Sequence, residues 1–259
     1  MISERYMNDS YTNPNIRYLY STFIGEYDLK DAGLSCCKEF KLLSEKEIER
    51  IENLPKEQKV VELGLLCRDN KKFNEVYNES FARARQLFFQ ANEIEDPDLI
   101  SVKKDAIFTH KKCEKTKVGK YLNFRLKNDY TSYLFLPVNK KKFEFYYNDG
   151  VLDIKGLNDE NYEKHKDYLI KYIKTVIERM ETRDRLDVID YMKRFFDRYK
   201  HRELDLGYYR TFDHRSVFLV NDESGTSTYD EYFDDEDSIQ SVDIRFNLEL
   251  ILQLILINI

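Results

Sequence analysis

Between residues 71 and 92, apolar side chains return every three or four positions, at Phe73, Val76, Tyr77, Phe81, Ala84, Leu87, Phe88 and Ala91. Sustained over roughly six turns, that period predicts one long helix with a buried stripe, stopped by Asp96-Pro97-Asp98. A shorter stripe of Ile48, Ile51 and Leu54 follows Ser44, which has Glu47 three residues on; this is a capping box, and the helix it starts ends at Pro55. The other apolar runs before residue 158 read as strands, at 18–29, 99–110, 120–126, 130–136, 143–147 and 151–154. Asn148-Asp149-Gly150 joins the last two as a hairpin. Beyond 158 the helical period returns, with Leu169, Tyr172, Ile173, Val176, Ile177 and Met180 on one stripe and Leu186, Ile189, Phe195, Phe196 and Tyr199 on another. Residues 248–259 are almost wholly apolar and predict a terminal helix, with Glu249 and Gln253 one turn apart. That stretch is far short of the roughly 20 residues of a membrane span, so no membrane association is expected. The pattern predicts an α+β chain in two parts. Residues 1–158 form an antiparallel sheet with packed helices and a short helical insert at about 40–95, and residues 159–259 form a helical lobe.

Composition sharpens this picture in two ways. With 8 Gly and 4 Pro in 259 residues, long regular elements are favoured over a loop-rich sandwich. The net charge of −6 hides a strong asymmetry: residues 101–143 carry twelve Lys or Arg against three acids, whereas 222–243 carry nine acids and no base. The basic band suits phosphates, and the acidic stretch around Ser224-Gly225-Thr226 reads as an exposed loop. Cys36, Cys37, Cys67 and Cys113 have neither CxxC spacing nor a disulfide pattern, which points to a reducing interior. His110 and Cys113 have no second pair at zinc-site spacing. Tyr6, Asn8, Asp9 and Asn13 interrupt any apolar run at the start, so no signal peptide is expected. The chain has no GxSxG, GxxxxGK[ST], GxGxxG or HExxH, which removes the usual hydrolase, P-loop, dinucleotide and zincin readings.

Two acids stand at the ends of apolar runs: Asp28 in Phe23-Ile24-Gly25-Glu26-Tyr27-Asp28-Leu29, and Asp105 before Ala106-Ile107-Phe108. Carboxylates held on rigid elements are what a pair of hard divalent cations needs for phosphoryl transfer. Acids in such places also serve as caps and turn residues.

The order of elements and three short segments resemble the palm and thumb of template-dependent polymerases, most nearly the family B DNA polymerases of viruses and phages. Residues 26–34, Glu26-Tyr27-Asp28-Leu29-Lys30-Asp31-Ala32-Gly33-Leu34, are similar to the first palm motif, and residues 101–109 to the third. Lys140-Lys141-Lys142-Phe143, followed by residues 149–157, resembles the Lys-Lys-x-Tyr and Lys-Gly segment. The chain departs from the pattern at Lys103, where the third motif has its first aspartate, and at Gly33, where a bulky residue would exclude a ribose 2′-hydroxyl.

The resemblance implies a palm-like sheet with a fingers-like insert, then a thumb-like lobe carrying the acidic loop and the apolar terminal helix. It implies two Mg²⁺ or Mn²⁺ held by Asp28 and Asp105 with Glu26 or Asp31, and phosphate contacts from Lys103 and Lys104. Triphosphate contacts would come from Lys71, Lys72, Arg83 or Arg85 on the long helix, and nucleic-acid contacts from Lys140, Lys141, Lys142 and Lys155. The partners would be a primer-template and nucleoside triphosphates, in the cytoplasm of a bacterial host or a virus-infected cell. The alternative is an inactive polymerase-like protein that binds nucleic acid, or binds a protein partner through the acidic loop or terminal helix.

Overall fold

The computed structural model describes residues 9–212, 218–222, 225–229 and 241–257, with side chains placed over 9–212 and 245–257. In chain order the elements are β1 (Ser10–Thr12), β2 (Tyr18–Leu19), β3 (Ile24–Leu29), α1 (Ala32–Glu39), α2 (Glu45–Glu52), α3 (Lys56–Asp69), α4 (Lys71–Asn92), β4 (Leu99–Lys103), β5 (Ala106–Thr109), β6 (Phe124–Tyr130), β7 (Ser132–Val138), β8 (Lys141–Asn148), β9 (Val151–Lys155), α5 (Asp159–His165), α6 (Leu169–Thr182), α7 (Arg185–Lys200), β10 (Phe218–Asp222), β11 (Gly225–Tyr229) and α8 (Ser241–Leu256). The chain is α+β, with antiparallel sheets and helices packed on them. It divides into two units, each with its own core.

The first unit comprises the described residues up to Ile16 together with Thr22–Tyr130. Its sheet runs in the order β1-β4-β5-β3-β6, every pair antiparallel. Tyr27 and Leu29 alternate inward from β3, and Val102 and Ile107 from the neighbouring strands, to meet Ala84, Phe88 and Phe89 of α4 and Cys36 of α1. The helical period predicts α4 residue for residue, and Asn70 caps it by accepting from the Phe73 N–H at 3.0 Å. The Ser44–Glu47 capping box is present on α2. A second, smaller core of Leu34, Cys37, Ile51 and Leu63 joins α1, α2 and α3.

The second unit comprises Arg17–Ser21 and the described residues from Thr131 on. Its sheet has the order β2-β7-β8-β9. Leu134, Leu136, Phe143 and Phe145 form one face, packed with Ile173, Val176 and Ile177 of α6, Met192 of α7, and Leu250, Ile251 and Leu254 of α8. At the β8–β9 turn Asp149 and Gly150 both have positive φ, as a two-residue primed hairpin turn requires. The polar residues of α8 are also engaged: Gln253 accepts from Arg17, Glu249 from the Asn139 N–H, and buried Asn247 bonds backbone groups of Tyr208, Arg210 and Phe212.

The structure differs from the sequence reading at several places. The run 18–29 is two strands, β2 and β3, parted at Ser21 (φ 46°) and assigned to different sheets. The run 99–110 is a hairpin, β4 and β5, because Lys104 adopts φ 54° and reverses the chain. The division between the units falls at Tyr130/Thr131 rather than at 158/159. The change of period near 158 marks a change of element type, whereas β7, β8 and β9 bury their apolar face on the helices that follow them. Pro55 does end α2, but it also starts α3. The terminal helix is mainly a core element of its unit, with Leu252 and Leu256 exposed. Of the acidic stretch 222–243 read as a loop around Ser224-Gly225-Thr226, residues 223, 224 and 230–240 lie outside the described residues, whereas Asp222 ends β10 and Gly225–Tyr229 form β11, so Gly225 and Thr226 stand in a strand instead. Among the described residues no helix is long and apolar enough to cross a membrane.

Candidate functional site

The hairpin at 99–109 decides where Asp105 stands. Lys103 pairs with Ala106, so Lys104 and Asp105 form the tip of the β4–β5 turn. On the neighbouring strand Asp28 pairs with the same Ala106, which sets the two acids side by side at one end of the sheet. The Asp105 pKa is raised above the usual aspartate range. Loss of solvation is the main cause, the charge of Asp28 adds to it, and a backbone hydrogen bond and Lys104 oppose it.

The turn is held from beneath. Arg85, 1% exposed in the middle of α4, donates to the Lys104 carbonyl oxygen at 2.5 Å and to Asp9 Oδ1 at 3.3 Å. The Lys104 N–H in turn donates to the Asp9 carbonyl at 2.6 Å. The left-handed Lys104 is thus tied on both its N–H and its C=O, so the direction in which Asp105 leaves the turn is fixed.

Above the two acids opens a cleft of about 370 Å³. Five cations line it (Lys30, Lys56, Lys59, Lys104 and Arg125) with three acids (Asp28, Asp31 and Asp105). Arg125, opposite Asp28 on β6, reaches Asp28 Oδ2 at 3.2 Å. Ala32 and Gly33, the first residues of α1, lie in the wall with Tyr77 and Phe81 of α4. A Cβ on Gly33 would meet the Tyr77 hydroxyl and the Leu63 side chain. The absence of a side chain there therefore serves the close approach of α1 to α3 and α4.

Of the residues singled out in the sequence, Asp28, Asp105, Lys104 and Asp31 meet in this cleft. Glu26 does not line it. Two positions before Asp28, its carboxylate accepts from Lys127 at 3.0 Å, Asn128 at 2.6 Å and the Tyr130 hydroxyl at 3.1 Å, and it secures β6 across a bulge. Lys103 reaches Thr12 Oγ1 at 3.2 Å on the β1 side. Arg85 is the buried support of the turn, and Arg83 lies 5.4 Å over the Phe40 ring on the helix exterior. Lys71 and Lys72 open α4 on its exposed first turn, away from the cleft lining. Lys140, Lys141, Lys142 and Lys155 belong to the second unit, and Lys155 pairs with Asp153 at 2.7 Å. The cations that do face the acids, Lys30, Lys56, Lys59 and Arg125, come from separate stretches of the chain. Only Arg125, inside the basic band, carried any signal.

The residues present suit a hard divalent cation of the Mg²⁺ type, which takes one or two carboxylates and completes its shell with water and phosphate oxygens. Among the described residues no three or more His, Cys, Asp or Glu side chains are grouped so that they could hold a metal ion by themselves.

The fold and cleft define a two-unit α+β protein whose first unit carries two neighbouring carboxylates in a cleft lined by Lys and Arg. Over residues 1–259 the chain matches the family model described as Bacteriophage PBS1 gene 130 protein, and it belongs to that family. No curated protein matches it.

Proposed function

We propose that the chain is a polymerase-like nucleotidyltransferase that joins a nucleoside triphosphate to a nucleic-acid 3′ end in the cleft over Asp28 and Asp105. One observation carries the reading: two acids 77 positions apart, singled out in separate motifs, stand side by side at one end of the sheet in a cleft lined by five cations. Asp28 and Asp105, with a backbone carbonyl nearby, would hold Mg²⁺ or Mn²⁺. When bound, such ions activate the attacking hydroxyl and offset charge on the leaving pyrophosphate. Lys30, Lys56, Lys59 and Lys104 supply point charges for the phosphates. Arg125 orients Asp28 until the ion and substrate compete for it.

A second reading has support of its own. Arg125 already neutralises Asp28, and Lys103 replaces an acid of the resembled motif, so the cleft could bind a phosphate without turning it over. Primer extension separates the two. With Mg²⁺ or Mn²⁺, DNA or RNA template and dNTPs or NTPs in separate tubes, the intact chain should extend the primer, and Asp28→Ala and Asp105→Ala should each abolish extension. No extension by the intact chain in any tube, together with triphosphate binding that survives both substitutions, establishes the binding module instead.

A further inference from the structure

A second cleft lies wholly within the helical part of the second unit, between α6, α7 and the turn at 204–208, and nothing above uses it. Its volume is about 340 Å³, inside the roughly 300–1,000 Å³ range of small-molecule sites. Lys171, Arg194 and Arg198 bring three positive charges to it, and none of its described lining residues is acidic. Arg198 donates to the Glu203 carbonyl at 3.2 Å, a neutral acceptor, so its charge is not cancelled there. The wall between these cations is aromatic: Tyr191 and Tyr208, both half-buried, line it, with the Arg179 guanidinium 4.1 Å from the Tyr191 ring centroid on one face.

At the base of the cleft stands Tyr172, 3% exposed, its ring stacked on Phe195 at 3.5 Å between centroids. Its hydroxyl is buried and makes no hydrogen bond. Leaving a buried hydroxyl unmet is unfavourable, whereas phenylalanine would stack on Phe195 equally well. A tyrosine at this point is therefore a cost to the fold, and a polar ligand atom that displaces the side chains sealing the hydroxyl from the cleft would remove that cost. Aromatic faces, cations and a single buried polar handle together match one chemistry, an aromatic base joined to phosphate. The faces stack on the base, the cations meet the phosphate, and the handle meets the polar edge of the base.

We propose that this cleft is a nucleotide-binding site that takes one base and its phosphate, either free or as a unit of a single strand. The site is independent of Asp28 and Asp105, and the proposal stands whether or not those residues support catalysis.

The test is fluorescence-anisotropy binding of labelled oligo(dT) to the full chain with EDTA present, so that the carboxylate cleft carries no metal in any arm. Tyr172→Phe is the decisive variant. It should weaken binding about 2- to 12-fold, the range for one lost hydrogen bond, while leaving the melting temperature equal or higher. Tyr191→Leu should weaken binding roughly 5- to 150-fold, as expected for one lost stacking partner. The exposed double substitution Arg194→Gln with Arg198→Gln, which touches no core contact, should lower affinity and flatten the salt dependence by about 0.7 in log–log slope, for the one phosphate they meet. Competition by dTMP would identify a free mononucleotide as sufficient ligand. Competition only by unlabelled oligo(dT) would identify the strand, and either result supports the proposal. Absence of oligo(dT) and dTMP binding overturns it, as does wild-type affinity in both Tyr172→Phe and the double substitution. Equal competition by an abasic oligonucleotide of the same length also overturns it, because the surface would then read charge alone.

Discussion

The Asp28–Asp105 contact is unfavourable for the isolated chain, and that sets a sign. Asp105 has its carboxyl pKa raised by burial and by the charge of Asp28, so the folded state prefers the protonated form more than the unfolded chain does. Stability is then greatest below the unfolded aspartate range and falls as pH rises through the folded value. Asp105→Asn, which mimics the protonated form, should raise the melting temperature at pH 7, and the gain should vanish near pH 3. Thermal unfolding across that range checks it, and a gain that persists at pH 3 would assign the effect to something other than this proton. Arg85 acts in the opposite sense. Replacing it with Met strips the Lys104 carbonyl and Asp9 of their donor, at a cost of about 2–3 kcal/mol in urea unfolding, since hydrogen bonds to charged groups sit at the upper end of the usual range. Arg85→Lys should recover only part, because one ammonium cannot reproduce a planar fork that spans two acceptors. Along the chain, Arg85 is indistinguishable from a solvent-facing helix charge. It stands two positions from Arg83, and only packing separates the exposed one from the buried one.

At the level of elements, strong periodicity was legible and special backbone was not. Helix α4 could be read because its buried residues repeat over many turns, and α2 because its cap is chemical. Helix α3 gives no such signal: Val60, Val61 and Leu65 stay exposed and Leu63 alone is buried, so no stripe forms. The β4–β5 turn hides for another reason. Lys104-Asp105 lacks the Gly or Asn that advertises a positive φ, and the reversal is imposed by Asp9 and Arg85, residues from elsewhere. Both acids of the candidate site could nonetheless be named from sequence, because each stands at the end of an apolar run. Their cationic surround could not, since Lys56 and Lys59 reach it from the unsuspected helix. The packing of α1 on α3 and α4 makes its own prediction. Gly33→Ala gains roughly 1 kcal/mol of helix propensity but forces its Cβ against Tyr77 and Leu63, where overpacking costs about 1–3 kcal/mol. The net should be destabilising in urea unfolding, and Tyr77→Phe in the same chain should recover part of the loss by removing the obstructing oxygen.

For the whole molecule, the division of charge follows the division of work that the two clefts suggest. Each unit concentrates cations around a concave site while the chain as a whole is negative, at −6, so its positive charge is local rather than general. The units also differ in how they are threaded. The second unit takes Arg17–Ser21 from near the start of the chain, and β2 from that segment covers the outer edge of β7. Synthesis on the ribosome therefore delivers the edge strand of that sheet more than a hundred residues before its partner. A fragment beginning at Thr131 would carry β7 with a bare row of backbone donors and acceptors, a template for aggregation. Fusing residues 17–21 through a flexible linker to the front of such a fragment should restore solubility, which makes this small strand the practical limit on dissecting the protein.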